Sequence, residues 1–318
     1  MTVAVSTATV PPASVPSGTV TARRTSARRR RTGLAAWGFA LPFSVLFAVF
    51  MLLPVVSSLY MAFTDMRGAD LRTPWAVNFV GLDNFVAVLA DPKFQQAAGN
   101  TLYFVGVAMP LTLAIALLLA VLLNSGLVWF RSVFRVGFYA PVVTSIVAVA
   151  VVWRFLLQPD FGLVNSALGV VGIDGPRWLT DAAWAMPSLI VMATWRNVGY
   201  SMVILLAGLQ GIPRDVYEAS AIDGAGAVRQ FRSITVPLLR PTLLFCAVIT
   251  GIGYLQFFEE PFVMTQGGPL GATNSVAYEI FNQFGFGNYG LSAAMSYVLF
   301  VAIVILSYLQ FRLLRTEK

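Results

Sequence analysis

Six runs of roughly twenty apolar residues leave this chain very few ways to fold. At about 1.5 Å of rise per residue, a twenty-residue helix is ~30 Å long, which is the thickness of a bilayer's hydrocarbon core. The runs fall at about Leu34–Phe63, Leu102–Leu123, Val136–Leu157, Met186–Leu209, Leu238–Phe258 and Leu291–Leu309. Only 11% of the residues are charged and 58% are hydrophobic, whereas a soluble globular chain is about one quarter charged. Closed barrels also satisfy their backbone in lipid, but they need short alternating segments, which the sequence lacks. The expectation is an all-α membrane protein with six transmembrane helices, the first kinked at Pro42 and Pro54.

Charge placement predicts how the spans are threaded. Residues 1–32 are rich in Ala, Thr, Ser, Val, Pro and Arg without a helical stripe, and read as a disordered basic cytoplasmic tail ahead of a six-helix transmembrane domain at 33–318. Arginines before an apolar run can mimic a secretory signal. Here the run is too long for a signal core and no small-residue cleavage pattern follows it. With the N-terminus inside, fourteen Lys and Arg fall on the inner side: six in the tail, then Arg131, Arg135, Arg214, Arg229, Arg232, Arg312, Arg315 and Lys318. Only Arg67, Arg72, Lys93 and Arg177 fall outside. Lys and Arg are retained on the cytoplasmic face, so both termini are expected on the cytoplasmic side of the cell membrane. The net charge of +7 is therefore a membrane signature, not one of nucleic-acid binding.

Several chemistries are excluded. The chain has no histidine, which removes Ser-His triads and His-based metal sites. The single Cys246 cannot close an intrachain disulfide and reads as a small packing residue. No G-x-x-x-x-G-K-[ST] sequence is present, so the chain has no phosphate loop for hydrolysing ATP. Glu259-Glu260 before Pro261 reads as an ordinary hydrated pair at the end of the fifth span, and it has no catalytic partner. The first outer loop carries Trp75, Phe79, Phe85 and Phe94 with turn signals at Gly81 and Asp91-Pro92, which predicts short helices on the outer face.

The fourth connection, about 210–237, is the most informative segment. Pro213 suits a helix start, and Val216, Ala219 and Ile222 then recur three apart as one apolar stripe. Gly224 supplies the left-handed turn that ends a helix sharply. A second short helix is expected with Val228, Phe231 and Ile234 on one face, closed by Pro237. A helix–turn–helix with one apolar face and a rim of Arg214, Asp215, Glu218, Asp223, Arg229 and Arg232 suits docking into another protein's groove. The same pattern also suits a helix lying on the lipid surface or packed beneath its own bundle.

Glu218-Ala219-Ser220, Gly224, Ile234 and Pro237 resemble the EAA loop of ABC importer permeases, with Ser220 and Val236 as mild departures from its Ala and Leu. The resemblance extends through Phe79-Val80-Gly81-Leu82-Asp83-Asn84-Phe85, Asn100-Thr101, Leu206-Ala207-Gly208-Leu209-Gln210, Ile212-Pro213, and Thr265 with Gly267-Gly268-Pro269. Together these are similar to sugar permeases of the maltose and glycerol-3-phosphate uptake type. The resemblance implies a type I importer permease fold in which Glu218, Ala219, Ser220, Asp223, Gly224, Phe231, Ile234 and Pro237 couple to an ATPase. It also implies a second permease subunit, two ATPase copies holding ATP and Mg, a soluble extracytoplasmic binding protein, and a carbohydrate moved by alternating access. No cofactor is expected on this chain.

For the substrate pathway, Arg196 in mid-span costs about 2.5–3.5 kcal/mol in lipid, so it should face a cavity or a partner. Trp195, Asn197 and Tyr200 beside it, and Gln256 in the fifth span, are the other pathway candidates. An ion-coupled secondary transporter is the competing class. It would more naturally carry carboxylates within its spans, and none is evident there.

Overall fold

The computed structural model describes residues 38–73, 77–125 and 130–314; the expected tail at 1–32, Trp75, Arg315 and Lys318 lie outside these. The chain divides into two compact units at Ser57/Ser58. Helix α1 (Gly38–Ala62) begins in the first unit. There Phe43 and Phe47 stack one turn apart, with ring centroids separated by 6.2 Å. The helix is regular through Pro42 and opens into a π turn at Ala48–Leu52, where the Leu53 N–H reaches the Ala48 carbonyl. Pro54 accounts for this widening. It has no N–H to give, and its ring crowds the carbonyl four residues back, which one wide turn moves aside.

The second unit is a helical bundle. Its elements are α2 (Asp83–Ala90), α3 (Pro92–Asn124), α4 (Arg131–Val143), α5 (Ile146–Leu156), α6 (Leu163–Val170) and α7 (Ala182–Gln210). They are followed by α8 (Arg214–Ile222), α9 (Ala227–Leu255), α10 (Val276–Gly285) and α11 (Tyr289–Leu314). Helices α1, α3, α7, α9 and α11 are long and apolar enough to cross a membrane, and the bent pair α4–α5 makes a sixth if it is counted as one span.

Helix α7 is the centre of this bundle and packs against α3, α4 and α9. In lipid the gain from such contacts is close packing, not escape from water, so small residues matter where backbones meet. Gly199 is such a place. A β-carbon there would strike the Phe138 carbonyl of α4. One half of the core gathers Phe94, Phe104, Leu189, Met192 and Met295; the other gathers Ala116, Ala120, Met202, Leu205, Leu239 and Cys246.

Four features depart from expectation. The second span begins at Pro92, ten residues before the apolar run. Asp91 accepts a hydrogen bond from the Lys93 N–H and Pro92 stands at the first helical position, so Asp91-Pro92 is a capped helix start and not a turn. The third span is broken, with α4 and α5 meeting at 100°. Pro141 lacks its N–H, Thr144 is extended (ψ 151°), and the Thr144 hydroxyl donates to the Pro141 carbonyl (2.7 Å), so the last turn of α4 is closed by a side chain. The second short helix of the 210–237 segment runs on into the fifth span, because a π turn at Phe231–Thr235 accommodates Pro237 within the helix. Helix α10 was not expected at all: it is a ten-residue helix capped by Ser275, which accepts from the Tyr278 N–H (3.1 Å).

At the α10 end, motifs far apart in sequence converge. The Asn100 amide donates to the Gly271 (2.7 Å) and Asn274 (2.9 Å) carbonyls, and the Val276 N–H donates to the Thr101 hydroxyl (3.1 Å). Thr265 and Thr273 hydroxyls meet at 2.7 Å, and Thr273 donates to the Gly268 carbonyl.

Gly199→Val is expected to cost about 1–3 kcal/mol of stability, the range typical of overpacking, and so to lower the midpoint of thermal unfolding in detergent, since backbone atoms must move. A midpoint equal to the parent's would show that α4 and α7 are not held at this contact.

Candidate functional site

The best-formed candidate site is the helix that projects from the bundle between α7 and α9. Pro213 precedes α8 with extended geometry (ψ 137°), and the nine residues Arg214–Ile222 follow. Gly224 is left-handed (φ 76°). Its N–H donates to the Ala221 carbonyl (3.0 Å) and the Ala225 N–H donates to the Ser220 carbonyl (2.9 Å). These two bonds form a Schellman cap, which is the reason a glycine stands here. No residue of α8 is buried. The stripe of Val216, Ala219 and Ile222 is open, Ile222 being 87% exposed. A solvent-facing apolar stripe on so small a helix has nothing within the described residues to cover it.

Of the other residues assigned to coupling, Glu218, Asp223 and Pro237 are exposed, while Ser220, Phe231 and Ile234 are half-buried. Ser220 faces the root of α9: its hydroxyl accepts from the Gln230 amide (2.9 Å) and donates to the Tyr217 carbonyl (2.8 Å). Gln230 also donates to the Tyr217 carbonyl (3.2 Å), and the Tyr217 and Thr235 hydroxyls meet at 3.0 Å. Sequence reasoning missed Tyr217, Gln230 and Thr235. Their partners lie ten to eighteen residues away, across a turn whose register no periodicity reveals.

The pathway candidates fall on and beside two open patches of α7. That helix is buried along most of its length, yet Val191 and Trp195 are exposed on one side of its first half, and Tyr200, Val203 and Ala207 are exposed further along and well round from them. Trp195 packs beside Trp153 of α5 (5.7 Å between rings), in a cleft of about 710 Å³ under the α4–α5 bend that Pro141, Thr144, Val149 and Val152 also line. Arg196 and Asn197 are half-buried. Arg196 Nη1 donates to Asn197 Oδ1 (3.4 Å), and the Asn197 amide donates to the Ala193 carbonyl (2.9 Å). Gln256 does not join them: it is exposed at the end of α9 and its amide bonds back to the Ile252 carbonyl (3.1 Å).

Three residues outside the expected set complete a polar interior. The Tyr254 hydroxyl bonds with that of Thr112 (2.9 Å) and donates to the Ala193 carbonyl (3.3 Å), tying α9 to α3 and α7. Glu260 is the second correction to the sequence reading. It is only 4% exposed, not a hydrated surface acid, because the chain after α9 turns back into the bundle through the π turn Pro261–Thr265. Its Oε2 and the Nε of Arg196 are buried polar atoms without a hydrogen-bond partner among the described residues. The signal that could have found Glu260 was Pro261, which makes a helical turn after the acid possible.

Comparisons with known proteins agree with this architecture. Residues 85–316 match the family model described as binding-protein-dependent transport system inner membrane component. The lactose transport system permease protein LacF of Rhizobium radiobacter is 36% identical, over 91% of this chain and 97% of its own. The arabinooligosaccharides transport system permease protein AraP of Bacillus subtilis is 33% identical, over 88% of each chain. A chain in the crystal structure of a bacterial ABC transporter that imports the acidic polysaccharide alginate superposes with a TM-score of 0.77 at 25% identity, covering 91% of this chain and 97% of that one. The chain thus belongs to the binding-protein-dependent transport system inner membrane component family: it is a multi-pass permease of an ABC importer, and not a catalytic subunit.

Tyr254→Phe is expected to reduce stability to thermal unfolding in detergent by roughly 0.5–1.5 kcal/mol, since the Thr112 hydroxyl and the Ala193 carbonyl lose that partner. Unchanged stability would show that this hydroxyl does not hold the three helices together.

Proposed function

We propose that this chain is one of two permease subunits that pass a carbohydrate through a bacterial cytoplasmic membrane, powered by two copies of a separate ATPase and loaded by an extracytoplasmic binding protein. The observation that carries the reading is α8: a capped helix with an open apolar stripe, standing at the end of the bundle that the Lys and Arg distribution puts in the cytoplasm. Glu218, Ala219, Ser220, Asp223 and Gly224, with Phe231, Ile234 and Pro237 at the root of α9, form the surface and frame that meet the ATPase. ATP and Mg reside in that partner, and this chain binds no cofactor.

The carbohydrate class is supported by the relatives, whose names specify lactose, arabinooligosaccharides and trehalose/maltose. It is also supported by the exposed rings of Trp195 and Tyr200 on two open patches of α7, since aromatic faces stack on sugar rings while Arg196 and Asn197 offer hydrogen bonds to hydroxyls. The second permease covers the open surface of α7, and substrate passes between the two subunits. A binding protein delivers it at the α10 end. The fold neighbour solved with an alginate pentasaccharide-bound periplasmic protein, 24% identical with a TM-score of 0.76, shares the architecture that would receive one. Closure of the ATPases on ATP draws the α8 helices together and opens the spans outward; hydrolysis lets them reopen inward.

Purification of the tagged chain from its native membrane tests this. A P-loop ATPase and a second permease should accompany the parent. Ile222→Arg and Gly224→Val should lose the ATPase, keep the second permease, and lower uptake by about tenfold or more, because a β-branched residue is strained at positive φ and a buried charge breaks an apolar contact. Transport by the isolated chain in liposomes without ATP would instead support ion coupling.

A further inference from the structure

Helix α8 has nine residues and buries none of them, so side-chain packing does not fix its orientation. A helix this short is marginal on its own in water, where about twelve to fifteen residues are needed. Its attachments are the backbone at its two ends and the polar contacts at the root of α9. Among those, Gln230 has a particular place. One amide reaches two acceptors on α8, the Tyr217 carbonyl (3.2 Å) and the Ser220 hydroxyl (2.9 Å). Ser220 closes the triangle by donating to the same Tyr217 carbonyl (2.8 Å).

A second contact is aligned with the first by the π turn. Residues five apart stand roughly 140° apart around an α-helix, at 3.6 residues per turn. In the i→i+5 register they come close to one full turn apart. The π turn Phe231–Thr235 thus brings Thr235 round to the side of Gln230, where its hydroxyl meets that of Tyr217 (3.0 Å). Pro237 supplies the reason for the wide turn, since in the α register it would crowd the Ser233 carbonyl and give it no N–H.

We infer that Gln230 is the positioning residue that locks α8 to α9, so that a force on α8 turns the α9 span as one body. The inference rests on the reading of α8 as the ATPase contact. It gives Ser220 a role: where the EAA pattern has alanine, this chain has a hydroxyl that both receives and returns a bond in the lock. It also fixes the path of the force, which enters α9 and reaches its far end at Tyr254, next to Glu260 and Arg196.

The test uses the complete transporter in liposomes. Cysteines placed at Ala221, which is exposed and off the apolar stripe of α8, and at the exposed Leu238 carry spin labels, the native Cys246 being buried. The parent should give a narrow distance distribution between the labels. Gln230→Ala, and Gln230→Met of similar length but without a donor, should broaden it, lower uptake by about fivefold or more, and raise the ATP consumed per substrate moved, with ATPase copurifying as in the parent. Ser220→Ala should do less, because Gln230 keeps the Tyr217 carbonyl, and Ser220→Ala with Gln230→Ala should be no worse than Gln230→Ala alone. A distribution and an ATP-to-substrate ratio unchanged in both Gln230 variants would overturn the lock. Should the parent itself carry no ATPase, the reading of α8 fails instead, and the label distances still decide whether Gln230 holds the two helices together.

Discussion

A peptide group inside hydrocarbon has to find its hydrogen-bond partner within its own helix, and proline cannot donate. Much of the irregularity in this bundle is a response to that constraint. Pro54 follows a π turn, Pro237 follows another, and Pro141 lies one turn before the 100° bend between α4 and α5. Each solution places something useful. The bend opens the concave face where Trp153 and Trp195 meet, and the π turn before Pro237 aligns Gln230 and Thr235 on α8. Gly199, by letting α4 lie directly on α7, keeps the bent pair anchored to the central helix.

What could be read from sequence follows the range of the interactions involved. Six apolar blocks are a property of runs, and they locate the spans, although α3 and α9 begin ten or more residues before their runs. The capped end of α8 was legible because a left-handed glycine is a local requirement, met at Gly224. Span starts were less so: Pro92 begins α3 because Asp91 caps it, although the apolar run begins ten residues later. The break in the third span falls at Thr144-Ser145, too brief a lapse in the apolar run to announce it, since the break comes from backbone geometry and one hydroxyl.

The polar interior was legible only in part. Arg196 announced itself as a cation in a span, but the buried acid Glu260 did not. Glu260 stands beyond the apolar run in sequence and re-enters the bundle only because the chain doubles back after α9. Tyr254 looked like one aromatic among several, whereas its hydroxyl joins three helices through Thr112 and the Ala193 carbonyl. At the α10 end, Asn100, Thr101 and the 265–276 segment carry motifs that look independent along the chain. They are the two halves of one hydrogen-bonded cap, which explains why short motifs recur at such separated positions.

The π turn at the root of α9 has a consequence for how this segment can change over time. A π turn is an α-helix with one residue inserted, so its length and its rotational phase are a single quantity. Deleting one residue between Gly226 and Pro237 would restore regular winding and swing everything before it through about 100° relative to the span. Exchanging a side chain here alters one contact of the lock at a time, while a gain or loss of one position would aim α8 at a different quarter of its surroundings. Such a loop is therefore constrained in its spacing as well as in its chemistry, much as a gear depends on the number of its teeth as well as on their metal.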